Sequence, residues 1–408
     1  MPAPHDPTHT PSVPVVAVVV TWNRPDDVRR LVRALADAPT PLSLVVVDNA
    51  SDTPIDNLHP VEHHLANASI DPANPAFSTD PAALPLDPHS SLQRLLIVRN
   101  TVNMGGCGGF LTGHHVARSL LADTPEAFLW LLDDDALPAQ DCLGHLLNAM
   151  ALDQRLGAVG SRMADPADPA HSLEGPVYFD TTSGLFQPAP APDNPLYAHY
   201  VQWRSRIDNG DTDAAFHGIV PCDIMAACSL LCRWSAVCAV GFWDPRYFLA
   251  ADDAEWCIRL RRHGYSVACC LDAVVFHEPW HRKRTPEREY YRRRNMLWLW
   301  LDHLPPETFL TLARARVQRM MQQSLRAIRR GNYRNAEIFR RTIDDAVASR
   351  GGRLDIAPPA GWLRRPRALV RWLRTRTAAR RWLRTIAAKA QAAPSPPVQG
   401  QLAMNPSR

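Results

Sequence analysis

No stretch of this sequence holds the ~20 consecutive apolar residues that a membrane-spanning helix needs. Residues 1–14 also lack the basic start and apolar middle of a secretory leader. Both absences lead to the expectation of a cytosolic catalytic part. None of the nine cysteines stands at CxxC spacing, which argues against a zinc site or disulfide framework. Small buried side chains in a reducing compartment are expected instead, including Cys228 and Cys232 beside an apolar stretch. Internal repeats are lacking. No glycine run continues into Gly-Lys-Ser/Thr or has GxGxxG spacing, so there is neither a Walker loop nor a dinucleotide fingerprint. A nucleic-acid-binding motif is missing too.

What remains is a chain of 408 residues with an ordinary hydrophobic share of 46%. That length suits one large core with an accessory segment, or two domains. The net charge of +4 hides an asymmetry, with Asp concentrated early and Arg crowding the last quarter. A basic end of this kind can meet anionic lipid, nucleic acid or a phosphorylated substrate.

Residues 15–21 form a continuous β-branched run, as expected of a strand buried on both faces. Asn23, Arg24 and Pro25 break it. Over 26–38 the residues Val28, Leu31, Val32 and Leu35 recur at helical spacing. A second apolar strand, 42–47, ends in Asp48 and Asn49. Strand, helix and strand in this order imply an α/β fold with a parallel sheet. Residues 53–91, rich in Pro, Asp, Asn and His, read as a long loop or insertion. The pattern predicts strands at 95–98, 128–132, 158–160 and 267–276, and helices at 114–121, 141–152, 252–263, 287–301 and 309–349. The stretch 165–218, with Tyr178, Phe179, Tyr197, Tyr200 and Trp203, suits a shaped, substrate-facing region.

Four constellations carry chemistry. Asp133, Asp134 and Asp135 end a buried strand. In extended chain Asp133 and Asp135 share a face and Asp134 points away. Two such carboxylates suit Mg2+ or Mn2+, whose open positions a diphosphate can fill. The plain alternative is a solvated acidic turn, but ligands of open α/β sheets bind at this end of the strands. Second, Asn103 and Met104 precede Gly105, Gly106, Cys107, Gly108 and Gly109. Their backbone can come close to a ligand, leave N–H groups free and lead a helix N-terminus toward a phosphate. Third, Asp252 and Glu255 fit a capping box. That leaves Asp253 in the first helical turn, where a general base could work. Fourth, His277, followed by Trp280 and His281, stands just past a strand as a metal-ligand candidate.

In this order the four pieces resemble the inverting family-2 glycosyltransferases of GT-A fold, most of all galactofuranosyltransferases and rhamnosyltransferases. The carrying residues are Thr21-Trp22-Asn23-Arg24, Val47-Asp48-Asn49, the Asn103 glycine run, Trp130 with the three aspartates, Asp252-Asp253-Ala254-Glu255 with Arg259, and Tyr290, Tyr291, Arg294 and Asn295. The resemblance spans residues 15–301 and implies a Rossmann-like, mostly parallel sheet flanked by helices. It implies donor binding by Thr21, Asn23, Arg24, Asp48, Asn103, Gly105, Gly106 and Asp134. Thr21 and Asp48 would meet base and ribose. It assigns metal binding to Asp133, Asp135 and His277, proton removal from the acceptor to Asp253, and acceptor contact to Trp243, Asp252 and Trp280. The implied partners are a uridine or thymidine diphosphate sugar and a glycan or lipid-linked glycan acceptor; a homo-oligomer is also expected.

Residues 302–390 are expected to be helical and 391–408 disordered, as is 1–14. Within 361–389, Trp362, Trp372 and Trp382 alternate with many Arg around Pro366. This suggests either a helix packed on the core or an interrupted amphipathic helix on a membrane surface. Two other functions compete: a metal-dependent nucleotidyltransferase, for which Asp253 has no obvious task, and a non-catalytic sugar-nucleotide-binding protein, which the retained acids disfavour.

Overall fold

The computed structural model describes residues 13–53, 55, 65–67, 91–122, 124–278, 285–356 and 364–392. Expectations for the two tails, most of 53–91, Trp280, His281 and Trp362 lie outside the described residues.

The chain opens with β1 (Val15–Thr21), α1 (Pro25–Ala36) and β2 (Leu42–Asp48). Next come β3 (Leu65–Asn67), inside the expected long loop, and β4 (Leu92–Arg99). After α2 (Gly105–Leu121) the strand β5 (Phe128–Asp133) carries the acidic run, followed by β6 (Leu137–Pro138) and α3 (Cys142–Leu152). The middle of the chain holds β7 (Leu156–Asp165), β8 (Asp168–Glu174), β9 (Tyr178–Asp180), β10 (Leu185–Gln187) and α4 (Tyr197–Asp208). Then follow β11 (Ile219–Cys222), β12 (Ser229–Arg233), α5 (Trp234–Val240), α6 (Asp252–Arg262) and β13 (Ser266–Phe276). The chain closes on α7 (Pro286–His303), α8 (Pro306–Arg329), α9 (Tyr333–Val347) and α10 (Arg364–Ala392).

One large mixed sheet runs in the order β11-β13-β7-β12-β5-β1-β2-β4-β3, with β6 on β13 and β8 on β7. It is parallel from β3 through β4, β2 and β1 to β5, and again between β7 and β13. The strand β12 is wedged antiparallel between β5 and β7.

The β-branched run of β1 explains the layering. Its side chains alternate faces, so Val16 and Val18 enter one core while Val15, Ala17 and Val19 enter another. The second core takes Val28, Leu31 and Leu35 of α1 and Leu143 and Leu146 of α3. The first takes α2 and α6 and continues without a break into Trp298, Phe309, Val317, Ile343, Ala379 and Leu383 of the last helices.

Three sequence expectations are corrected here. The glycines do not form a loop ahead of a helix; they are the opening turns of α2. The reason is packing: a Cβ on Gly109 or Gly113 would stand 2.2 or 2.1 Å from Val20 or Val18 Cγ1, so only glycines let this helix lie on the sheet. Asp252 does not cap α6; Ala251 takes that place in a left-handed conformation, and Glu255 turns to Arg259 and His303 instead. Nor does Pro366 interrupt the last helix. It lies in the first turn of α10, where its missing N–H costs nothing. The buried stripe of α10, Ala368, Thr375, Ala379 and Leu383, packs on protein. Trp372 donates to the Met321 carbonyl at 2.9 Å, and Trp382 stands edge-on to Phe309.

Candidate functional site

The carboxyl ends of the parallel strands lie in register. Thr21 pairs with Asp48 and Asp48 with Arg99, while Val20 pairs with Asp133. The sheet therefore presents Thr21, Asp48 and Asp133 along one edge, where β-strands of open α/β sheets meet ligands.

Beyond Asp133 the chain does not stay extended. Asp134 and Asp135 form a turn closed by the Ala136 amide donating to the Asp133 carbonyl at 3.1 Å. Strand alternation therefore does not set the direction of Asp135; the turn does. The antiparallel pairing of Leu137 with Phe276 then carries β13 past the turn and brings in His277. Its Nε2 lies 3.0 Å from Asp135 Oδ1 and 3.9 Å from Asp133 Oδ2. One ligand atom from each of Asp133, Asp135 and His277 can be chosen so that all three lie within 4.8 Å of one another. Two carboxylates and a buried imidazole suit a hard to borderline divalent ion.

Asp134 turns to the β1 side. Burial pushes its carboxyl up to about 7, with the charges of Asp135 and Asp133 acting the same way against Arg24. The Thr21 hydroxyl is buried close enough to lower that value, yet makes no hydrogen bond of ordinary geometry. Arg24 Nη1 stands 2.5 Å from Asp135 Oδ2 and 3.7 Å from Asp134 Oδ1.

The other expected donor residues form a braced floor. Asp48, fully buried, accepts from the Ser51 amide at 2.9 Å and from Arg99 at 3.0 Å. Asn23, at φ 58°, exchanges two hydrogen bonds with Asp52. The Asn103 side chain accepts from the Gly105 amide at 2.8 Å, so that N–H is not the free donor the sequence suggested. At Gly105 itself, φ is 74° and a Cβ would collide with the Phe248 carbonyl. Gly106 is less confined: a Cβ there would have Leu249 Cδ1, at 3.8 Å, as its nearest neighbour.

Opposite this edge, α6 begins at Asp252. Ala250 and Ala251 precede it, both left-handed at φ 71° and 63°, a costly conformation for residues with a Cβ. The Asn295 side chain holds them by donating to the Leu249 and Ala250 carbonyls at 2.9 and 2.7 Å. The Asp253 carboxylate accepts from the Ala254 amide at 2.7 Å and the Ala227 amide at 3.3 Å. Burial raises its pKa, the amides oppose this, and the charge of Asp133 adds to the rise. Asp252 is pushed up by burial and then by Asp253. Both acids thus lie within electrostatic reach of Asp133.

Glu174, at the end of β8, was not singled out in the sequence. Its carboxyl is pushed up to about 7, by burial first and then by the charges of Asp253 and Asp133, with His277 opposing. Its charge is thus coupled to the same acids. No local motif marks it; only the pairing of β8 with β7 brings it there. Trp243 is 4% exposed, stacked on Phe242 and edge-on to Phe110, so it lies in the core and not on an open acceptor surface.

No protein-family model matches the chain. It is 29% identical over 268 residues to galactofuranosyltransferase GlfT1 of Mycobacterium tuberculosis, an alignment covering 64% of this chain and 69% of that one. It is 29% identical over 177 residues to galactofuranosyltransferase GlfT1 of Mycolicibacterium smegmatis, covering 43% and 50%. Among solved structures, mannosyltransferase PcManGT from Pyrobaculum calidifontis, in complex with GDP-Man and Mn2+, superposes with a TM-score of 0.44 at 18% identity, covering 95% of this chain and 88% of that one. A superposition that loose says nothing about the site. Its sequence relatives make the chain a glycosyltransferase similar to galactofuranosyltransferases.

Proposed function

We propose that the chain transfers a sugar, galactofuranose first and rhamnose next, from a uridine or thymidine diphosphate donor. The acceptor is a glycan or lipid-linked glycan of cell-envelope polysaccharide, and the anomeric centre inverts. One observation supports this reading: Asp133, Asp135 and His277 converge at one strand end, and the charge of Asp133 reaches Asp253 in the first turn of α6.

Asp133, Asp135 and His277 would hold Mn2+ or Mg2+. When bound, the ion offsets the negative charge that the leaving nucleoside diphosphate gains. Thr21, Asn23 and Asp48 form the nucleoside floor, with Asn103 and Asp134 at its sides. The acceptor hydroxyl is a poor nucleophile, so a carboxylate must take its proton as attack develops. Asp253 is suited to this because burial raises its basicity while two amides keep it oriented. With Asp253 as base, attack of the acceptor oxygen on the anomeric carbon breaks the bond to the diphosphate in one displacement, which inverts that centre. Asp252 and Glu174 flank the acceptor side.

The decisive experiment incubates the purified chain with nucleotide sugars, glycolipid acceptors and Mn2+ or Mg2+ and follows nucleoside diphosphate release. Release with one donor, and its loss in Asp253→Asn with donor binding intact, is the expected result. No release or binding with any donor would remove the reading.

The Arg side of α10, with Arg367, Arg374, Arg380, Arg381 and Arg384 exposed, supports a peripheral seat on an anionic membrane face. Ala368, Ala379 and Leu383 are buried on protein while Val370 and Leu373 stay exposed beside the arginines, so attachment would be mainly electrostatic and would weaken with salt in vesicle co-sedimentation.

A further inference from the structure

Arg24 is a fixed cation placed where a second cation is called for. It follows β1 on the loop before α1, and its guanidinium meets Asp135 Oδ2 at 2.5 Å. Asp135 Oδ1 meanwhile lies 3.0 Å from His277 Nε2. Both oxygens of one expected metal ligand therefore already face a nitrogen, one of them a permanent charge. A guanidinium cannot give way by losing its proton, so it has to move. Its side chain is 37% exposed and has room to do so. The buried Thr21 hydroxyl lies beside Asp134, close enough to steady its charge, and adds a polar group next to the same loop.

We propose that Arg24 is a built-in counter-cation: it holds Asp135 until a divalent ion arrives and then passes to the donor's diphosphate. This rests on the metal and donor reading given above. A dication bound by Asp133, Asp135 and His277 brings like charge beside the guanidinium and takes its partner. The donor's diphosphate offers new anionic oxygens that suit the planar fork of Arg. Ion alone has to displace Arg24 for no return; ion with donor gives it a better partner. The two ligands consequently tighten each other, and by linkage the coupling is reciprocal. A divalent ion free in solution is then held weakly until the donor comes with it.

The test measures Mn2+ affinity by electron paramagnetic resonance on the full chain, with and without uridine diphosphate. It compares the parent with Arg24→Gln and Arg24→Ala, with circular dichroism confirming each fold. In the parent, the nucleotide should tighten Mn2+ by about tenfold. Both variants should bind Mn2+ alone several-fold more tightly than the parent, and the gain from nucleotide should be smaller than the parent's, leaving only what direct ligation of the ion by phosphate supplies. Variants that bind Mn2+ alone no better than the parent, or keep the full nucleotide gain, overturn the role of Arg24 while leaving the metal site standing. Absence of Mn2+ binding in all three proteins under both conditions overturns the metal reading and this inference together.

Discussion

Gly109 lies directly against Val20: a methyl group on it would stand 2.2 Å from Val20 Cγ1. Helix α2 thus touches the sheet beside the strand end that carries Thr21. Gly109→Ala forces either the helix or β1 to move. Overpacking of this kind costs roughly 1–3 kcal/mol. The thermal midpoint of the variant should fall accordingly. Gly106→Ala is the internal control, since its methyl would meet only Leu249 Cδ1 at 3.8 Å and should leave the midpoint unchanged or raised. Equal midpoints for the two variants would show that α2 is free to shift.

Asn295 acts on the site at one remove. Its amide holds the two carbonyls before α6, and so holds the left-handed pair that aims Asp252 and Asp253. Asn295→Leu keeps the number of heavy atoms but loses both hydrogen bonds, and with them the one Asn295 accepts from Arg294 at 3.0 Å. Turnover should drop about tenfold or more while donor KM stays near the parent value, because misplacing a base costs rate before binding. Steady-state kinetics with separate donor and acceptor titrations distinguish this from general unfolding, which would lower both the active fraction and the thermal midpoint.

The pocket acids should leave a mark on the pH–rate profile. Glu174 and Asp253 repel each other when both are ionised. Replacing Glu174 with Gln removes that charge, so Asp253 should lose its proton at lower pH. The acid limb of the kcat profile should move downward by a few tenths of a unit up to about one unit. A limb that does not move would place Glu174 outside electrostatic reach of the base.

His114 makes stability acid-sensitive. It stacks on Phe242 at 4.5 Å between ring centres, and burial lowers its pKa to about 4, with Arg118 and His115 adding to the drop. An unfolded His titrates near ~6.5. The folded value is depressed, so the contribution of the neutral ring is complete above about pH 6.5 and is lost as pH falls toward 4. For one proton the slope is about 1.4 kcal/mol per pH unit. His114→Phe should flatten urea-derived stability over that window relative to the parent. A difference between the two proteins that does not vary with pH would contradict the assignment.

Trp382 separates the structural from the surface role of α10. Its ring meets Phe309 at 5.6 Å and helps close the core over α8. Trp382→Ala should cost about 3 kcal/mol on unfolding. If the helix attaches through its Arg face, vesicle binding by the folded variant should match the parent. Loss of vesicle binding without loss of stability would reverse the assignment and put the tryptophan in the lipid.

Much of the frame was legible because parallel strands buried on both faces leave a plain signal. The run at β1 and the apolar spacing of α1 each matched their elements to within two or three residues. The acidic turn and His277 were also readable as a set, since each follows a strand. What could not be read was direction and contact. The turn after Asp133 depends on hydrogen bonds, and Glu174 depends on which strand β8 joins. Glycines were misread because a ligand-facing loop and a helix pressed on a sheet both demand small residues; only the neighbour, Val20 or Val18, tells them apart. The capping box failed because Glu255 found Arg259 and a buried His303, partners distant in sequence or set by helix spacing.

The antiparallel wedge of β12 has a consequence for how the protein is made. β5 carries Asp133 at its end and has β1 on one side and Ser229–Arg233 on the other. A nascent chain that has emerged only through α3 would hold β5 with a bare edge and an acidic tip, awaiting a strand not yet synthesised. His277 comes later still. Emergence of β12 and then of β13 with His277, and not early collapse of the parallel half, therefore sets when the site can form, and until β12 arrives the open edge of β5 is the place where a second chain could pair in error.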